Sequence, residues 1–230
     1  MSGAGLVGVL IVGCYLVGGI PFGFLVGRLH GLDIRKAGSG NIGATNVGRL
    51  LGRKWGILVF VLDVCKGLLP TLGLGQFLPG AEGLAGWSPA VVNTAWLAGG
   101  VACILGHNFP IYLRFRGGKG VATSLGVVLG VYPYLTVSGL CAFGVWVVVT
   151  LISRYVSAGS ICAAVAFPIC YLAWLGLRRE PDWSANLPIV GFAVLMSGLV
   201  IYRHRENIKR LRAGTESKIG SRPNSSLADR

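Results

Sequence analysis

Two short stretches combine the residue types that hold a phosphate. The first is Gly38-Ser39-Gly40-Asn41-Ile42-Gly43-Ala44-Thr45-Asn46-Val47-Gly48-Arg49. Its glycines Gly38, Gly40 and Gly43 allow backbone N–H groups to converge, Ser39, Asn41, Thr45 and Asn46 add side-chain partners, and Arg49 adds a positive charge. Concave N–H arrays of this kind favour anions. The stretch lacks the Gly-Lys-Ser/Thr ending of a Walker loop and does not follow a strand, so neither nucleotide fingerprint fits. An ordinary glycine turn capping a helix is the competing interpretation.

The second stretch runs Gly106-His107-Asn108-Phe109-Pro110 and continues through Arg114-Phe115-Arg116-Gly117-Gly118-Lys119-Gly120-Val121-Ala122-Thr123. Gly117, Gly118 and Gly120 surround Lys119 at the start of a helix, where the dipole adds positive potential. Asp63 and Lys66 share a helix face inside an apolar run, which makes them either a cavity-facing site or a mutually satisfied pair. Ser157 and Ser160 open another apolar run. In the segment that follows the last one, His204, Asn207 and Leu211 fall on one face. His204 is a better candidate base than His107, although neither belongs to a triad and no metal spacing such as His-x-x-x-His occurs.

These stretches lie between long apolar runs. Hydrophobic residues make up 53% of the 230, charged residues only 13%, and the mean hydropathy is +0.68, values of a polytopic membrane protein. A single all-α domain over residues 1–219 with a disordered tail over 220–230 is the expected organisation. Seven spans are predicted: 6–26, 55–74, 91–109, two within 121–153 divided at Tyr132-Pro133-Tyr134, 157–175 and 187–202. With the N-terminus outside and the C-terminus cytoplasmic, eighteen of the 21 basic residues share the cytoplasmic face, leaving Lys66 in a span and Arg178 and Arg179 opposite. The net charge of +13 is thereby a topology signal, and nucleic acid is not an expected partner. The six cysteines all lie in apolar runs without a Cys-x-x-Cys pair, so no metal is expected there.

Taken together, the Gly38–Arg49 stretch, the Gly106–Thr123 stretch, Asp63-x-x-Lys66-Gly67, Ser157-x-x-Ser160 and His204-Arg205-x-Asn207-Ile208 with Gly214-Thr215-Glu216 resemble the bacterial acyl-phosphate:glycerol-3-phosphate acyltransferases of the PlsY type. The resemblance extends in order from the first span to about Lys218. It implies a seven-helix enzyme of the bacterial inner membrane, with its active site facing the cytoplasm and no cofactor. The implied reaction moves an acyl group from acyl phosphate to the 1-hydroxyl of glycerol 3-phosphate, giving lysophosphatidic acid and phosphate. Ser39 and Arg49 are then expected to be catalytic, and the loop around Lys119 to hold glycerol 3-phosphate. The His-x-x-x-x-Asp motif of other glycerophosphate acyltransferases is absent, since Arg35, Tyr112 and Lys209 stand five residues after the three histidines.

Taking the resemblance together with the residue chemistry, the expected catalytic group is Ser39, Arg49, Lys119, His204 and Asn207. The expected binding group is Gly38, Gly40, Asn41, Gly43, Thr45, Asn46, Lys66, His107, Asn108, Gly117, Gly118, Gly120, Thr123, Ser157, Ser160 and Glu216. A membrane transporter for an organic phosphate is the alternative from another class, because paired anion loops and an intramembrane lysine would also suit one. No motif sets an acyl-chain length or an oligomeric state.

Overall fold

A computed structural model describes residues 2–178 and 183–219; the tail expected over 220–230 lies outside the described residues. Helices follow one another as α1 (Gly3–Gly19), α2 (Phe22–Leu29), α3 (Ala44–Leu51), α4 (Arg53–Phe77), α5 (Pro89–Asn108), α6 (Val121–Gly130), α7 (Thr136–Ser153), α8 (Val156–Gly176), α9 (Trp183–Arg203) and α10 (Arg205–Arg212). The described residues contain no strand.

Among the described residues six segments are long and apolar enough to cross a membrane, the first of them being α1 and α2 together. The helix predicted to be the fourth of seven spans, α6, has only ten residues, about half of the roughly 20 that a span needs. The division expected at Tyr132-Pro133-Tyr134 does occur, since α6 ends at Gly130 and α7 begins at Thr136. Within that turn Val131 and Leu135 are buried, and Val131 and Leu135 N–H groups donate to the carbonyls of Val127 and Val131. Between these two buried flanks Tyr132, Pro133 and Tyr134 are exposed, so protein covers the two ends of the turn and not its middle.

Small residues set the helix spacing. A Cβ on Gly126 would come within 2.0 Å of the Val64 carbonyl oxygen, and one on Gly130 within 2.9 Å of Leu68 O. The Gly126-x-x-x-Gly130 pair therefore seats α6 directly on α4, as small-residue pairs do in membranes. Lys66 and Asp63 are buried partners at 2.8 Å. Lys66 also donates at 2.7 Å to the carbonyl of Ile20, the residue at which α1 stops before α2. An ammonium thus supports the backbone where the helix is interrupted, a structural use of intramembrane charge.

A cationic cavity with an apolar end

At one end of the bundle the loop before α3, the start of α6, the start of α8, α10 and the segment after α10 enclose a cavity of about 970 Å³. Its polar end is lined by Ser39, Asn41, Thr45 and Arg49 from the first stretch, Lys119 and Gly120 from the second, and His204, Asn207 and Glu216 from the third. The cavity continues between α6, α7, α8 and α9 into an apolar end that includes Leu125, Phe143, Trp146 and Phe167.

The first loop is organised by Asn46, which is 2% exposed. Its Oδ1 accepts the Ser39 N–H at 2.9 Å, while its Nδ2 donates to the carbonyls of Ile34, Ala37 and Asn41. Gly40 N–H donates to Ala37 O, and Gly43 N–H to Asn41 Oδ1. The converging N–H groups expected from Gly38, Gly40 and Gly43 are thus spent largely inside the loop. Gly38 keeps its place for another reason: its φ is +59°, and a Cβ there would fall 2.4 Å from Asn46 Oδ1. What the stretch presents to the cavity is the side chains of Ser39, Asn41, Thr45 and Arg49, with the backbone of Gly38 and Gly43 beside them.

Arg49 Nη2 donates to the Ser217 carbonyl at 3.1 Å, and its Nε is buried without a hydrogen-bond partner among the described residues. Burial pushes its pKa down, with Glu216 opposing. Lys119 Nζ donates to Asn207 Oδ1 at 2.5 Å, and Asn207 Nδ2 donates to Glu216 Oε1 at 2.6 Å. The same carboxylate accepts from Ser157 Oγ at 2.7 Å and, through Oε2, from Arg210 Nε at 2.7 Å. Glu216 therefore ties α8 to α10 and fixes the asparagine that aims the ammonium. Its pKa is lowered because the Ser157, Asn207 and Arg210 hydrogen bonds together outweigh desolvation. Lys119 is pushed down to about 8, by burial first and then by Arg210, Arg49 and Arg203 against the pull of Glu216. Such a cluster of cations is relieved by an anion.

His204 is 2% exposed, and its Nδ1 lies 2.8 Å from the Val200 carbonyl. A carbonyl only accepts, so Nδ1 carries the proton and Nε2 is left as an acceptor. Burial and neighbouring Lys119 push its pKa down to about 4, which keeps the ring neutral near pH 7.

Gly40, Lys66, Asn108, Gly117, Gly118 and Thr123, expected in the binding group, do not line the cavity. Gly117 and Gly118 donate their N–H groups to the carbonyls of Asn108 and His107, and their own carbonyls accept from Arg203. The loop is clamped between α5 and the end of α9, with Lys119 and Gly120 left at the cavity. Asn108 and Thr123 are fully buried, and Lys66 is spent on Asp63 and Ile20. Ser160 reaches the cavity wall but donates to Val156 O and accepts from Trp146 Nε1. Arg203, Arg210 and the Ser217 carbonyl were not singled out from sequence. Arg203 and Arg210 counted there only as topology charges, although Arg210 follows Asn207 by one helical turn.

Gly118→Ala is expected to act through this clamp, because its Cβ would fall 2.0 Å from His107 Nε2. Displacing Lys119 should raise KM for a phosphate-bearing substrate more than it lowers kcat. Steady-state kinetics on the folded variant checks this; an unchanged KM refutes it.

The family model described as glycerol-3-phosphate acyltransferase matches residues 8–214. A relative from Geotalea daltonii named glycerol-3-phosphate acyltransferase is 44% identical over 213 residues, covering 91% of this chain and 95% of that protein. One of the same name from Geobacter sulfurreducens is 46% identical over 211 residues, covering 92% and 96%. The fold is similar to a crystal structure of PlsY (YgiH), an integral membrane glycerol 3-phosphate acyltransferase, in its glycerol 3-phosphate form, with a TM-score of 0.75 and 40% identity over 93% of this chain and 96% of that one. It is similar also to the lysophosphatidic acid form, with a TM-score of 0.73 and 40% identity over 93% and 95%.

Proposed function

The chain belongs to the glycerol-3-phosphate acyltransferase family, and from that premise we propose that its acyl donor is acyl phosphate, its acceptor the 1-hydroxyl of sn-glycerol 3-phosphate, and its products lysophosphatidic acid and inorganic phosphate. One observation carries this reading: a single cavity is cationic and hydrogen-bonding at one end and apolar at the other. A donor with a phosphate head and a hydrocarbon tail needs both ends in continuity. The distribution of basic residues supports a bacterial inner-membrane enzyme with its N-terminus outside and this cavity facing the cytoplasm.

In the proposed reaction the acceptor hydroxyl oxygen attacks the acyl carbonyl carbon, the carbon–oxygen bond to phosphate breaks, and the hydroxyl proton leaves with the phosphate as hydrogenphosphate. Acyl phosphate is a mixed anhydride with a good leaving group, so positioning and charge stabilisation supply most of the catalysis. Ser39 and Asn41 bind the donor phosphate, and Arg49 meets the charge that grows on it. Lys119 holds the acceptor phosphate, with Asn207 and Glu216 behind it. His204 Nε2 accepts a hydrogen bond from the acceptor hydroxyl and aligns it.

A histidine held near pKa 4 is a weak base, which supports the departing phosphate as the proton acceptor. His204→Ala is then expected to lower kcat by about tenfold, the worth of one hydrogen bond. A fall of roughly 10²–10⁴ would instead assign the proton to His204.

The transporter alternative draws no support from a cavity that ends in packed core. The decisive assay incubates the purified protein in lipid with palmitoyl phosphate and glycerol 3-phosphate, following phosphate and lysophosphatidic acid together. One-to-one formation is expected; phosphate release without the lipid product, or no release, rejects the proposed donor.

A further inference from the structure

We infer that the apolar end of the cavity is a gauge of acyl-chain length, with its floor set by Val128, Ala142, Phe167 and Met196. The inference rests on the acyltransferase reading and concerns the tail, whichever activated group carries it.

The lining ends part-way along each of four helices. It reaches Val128 on α6, Gly139 and Ala142 on α7, Phe167 on α8 and Met196 on α9. One turn further the core is closed: Val131, Leu135, Tyr171 and Phe192 are 1%, 0%, 0% and 4% exposed and belong to one packed cluster with the floor residues. Gly139 adds to the closure, since a Cβ there would meet Val128 Cγ1 at 2.3 Å, so α6 and α7 touch at the floor. On the side wall, the rings of Phe143 and Trp146 stack at 5.7 Å and 7°, and Trp146 Nε1 donates to Ser160 Oγ at 3.3 Å, which fixes one face of the slot.

The depth follows from helix geometry. Met196 lies roughly 12 Å along α9 from His204, and Phe167 roughly 15 Å along α8 from Ser157, at 1.5 Å per residue. With carbon–carbon bonds of ~1.5 Å in a zigzag, an extended chain advances about 1.3 Å per carbon, so the slot takes roughly nine to twelve carbons before the terminal methyl meets the floor. Further methylenes must fold back or leave between the helices, giving up contacts that interior packing supplies.

The gauge is tested by moving its floor in both directions. Ala142→Phe fills the deep end and Phe167→Ala extends it. Each purified variant is given dodecanoyl and octadecanoyl phosphate in equal amounts with glycerol 3-phosphate, and the two lysophosphatidic acids are quantified by mass spectrometry. Ala142→Phe is expected to raise the short-to-long ratio about tenfold, the worth of nearly two buried methylenes, and Phe167→Ala to lower it. The second arm competes dodecanoyl against octadecanoyl lysophosphatidic acid for binding to the same proteins, with the same shifts expected. Product from neither acyl phosphate, with the binding shifts intact, rejects the donor and keeps the gauge. Ratios that match the parent protein in both variants and both arms overturn the gauge. The opposite signs protect the test, because a variant that merely misfolds loses both chain lengths together.

Discussion

Arg49→Ala is expected to lower kcat by about 10²–10³-fold, the usual cost of removing a preorganised donor from developing charge. The guanidinium enters the cavity from α3, keeps a buried Nε without a hydrogen-bond partner among the described residues, and holds the segment after α10 through Ser217 O. It is thus positioned before substrate arrives, and the phosphate has little reorganisation to drive. In the proposed reaction the charge on the departing phosphate grows during the chemical step, so the loss should appear in kcat more than in KM. Arg49→Lys should recover only part of the rate, since an ammonium cannot reproduce the planar fork. An unchanged kcat in the folded Arg49→Ala protein would remove Arg49 from the mechanism.

Lys119 supplies the second large effect, and its pH dependence separates charge from packing. Its ammonium is pushed down to about 8, so the charged form holds below that pH and is lost as the pH rises through it. If the ammonium binds the acceptor phosphate, kcat/KM for glycerol 3-phosphate should fall above about pH 8 in the free enzyme, because that parameter reports free-enzyme ionisations. Lys119→Arg should shift the fall upwards, since a guanidinium stays protonated. Lys119→Met, with the stem retained and the charge gone, should lower kcat/KM by about 10²-fold, on the scale of a charged hydrogen bond lost in a closed site. A flat profile to pH 10 in the parent protein would refute the assignment.

Both residues depend on a support that local pattern did not reveal. Glu216 was expected to bind substrate because it completed the third stretch. It lines the cavity and also accepts from Ser157, Asn207 and Arg210, and so orients the asparagine that orients Lys119. Asn207 was likewise expected to align the acceptor, yet its amide is occupied on both sides. With the proposed acyl phosphate donor, positioning of this sort would suffice without the missing His-x-x-x-x-Asp, since an activated donor leaves orientation and charge as the main requirements.

What the amino-acid order alone determined was of two kinds. Apolar runs of helical length require a membrane bundle, because lipid leaves no other partner for backbone N–H and C=O groups. The three polar stretches, each beside a cluster of basic residues, already carried the groups that meet at the polar end of the cavity. Gly126 and Gly130 likewise stand at the spacing of a helix contact, which α4 fills. Tertiary structure alone decided how each polar group is spent. Ser39, Gly40 and Gly43 turn their N–H groups inward, Gly117 and Gly118 are clamped from α5 and α9, and Lys66 supports the break between α1 and α2. It also made α6 ten residues long and closed the cavity at Phe167 and Met196. The reason is one of range. Apolar periodicity is satisfied within a helix, whereas the bonds from Ser157 to Glu216, Lys119 to Asn207 and Arg49 to Ser217 join residues 59, 88 and 168 positions apart. Partners at such separations exist only once the helices have packed.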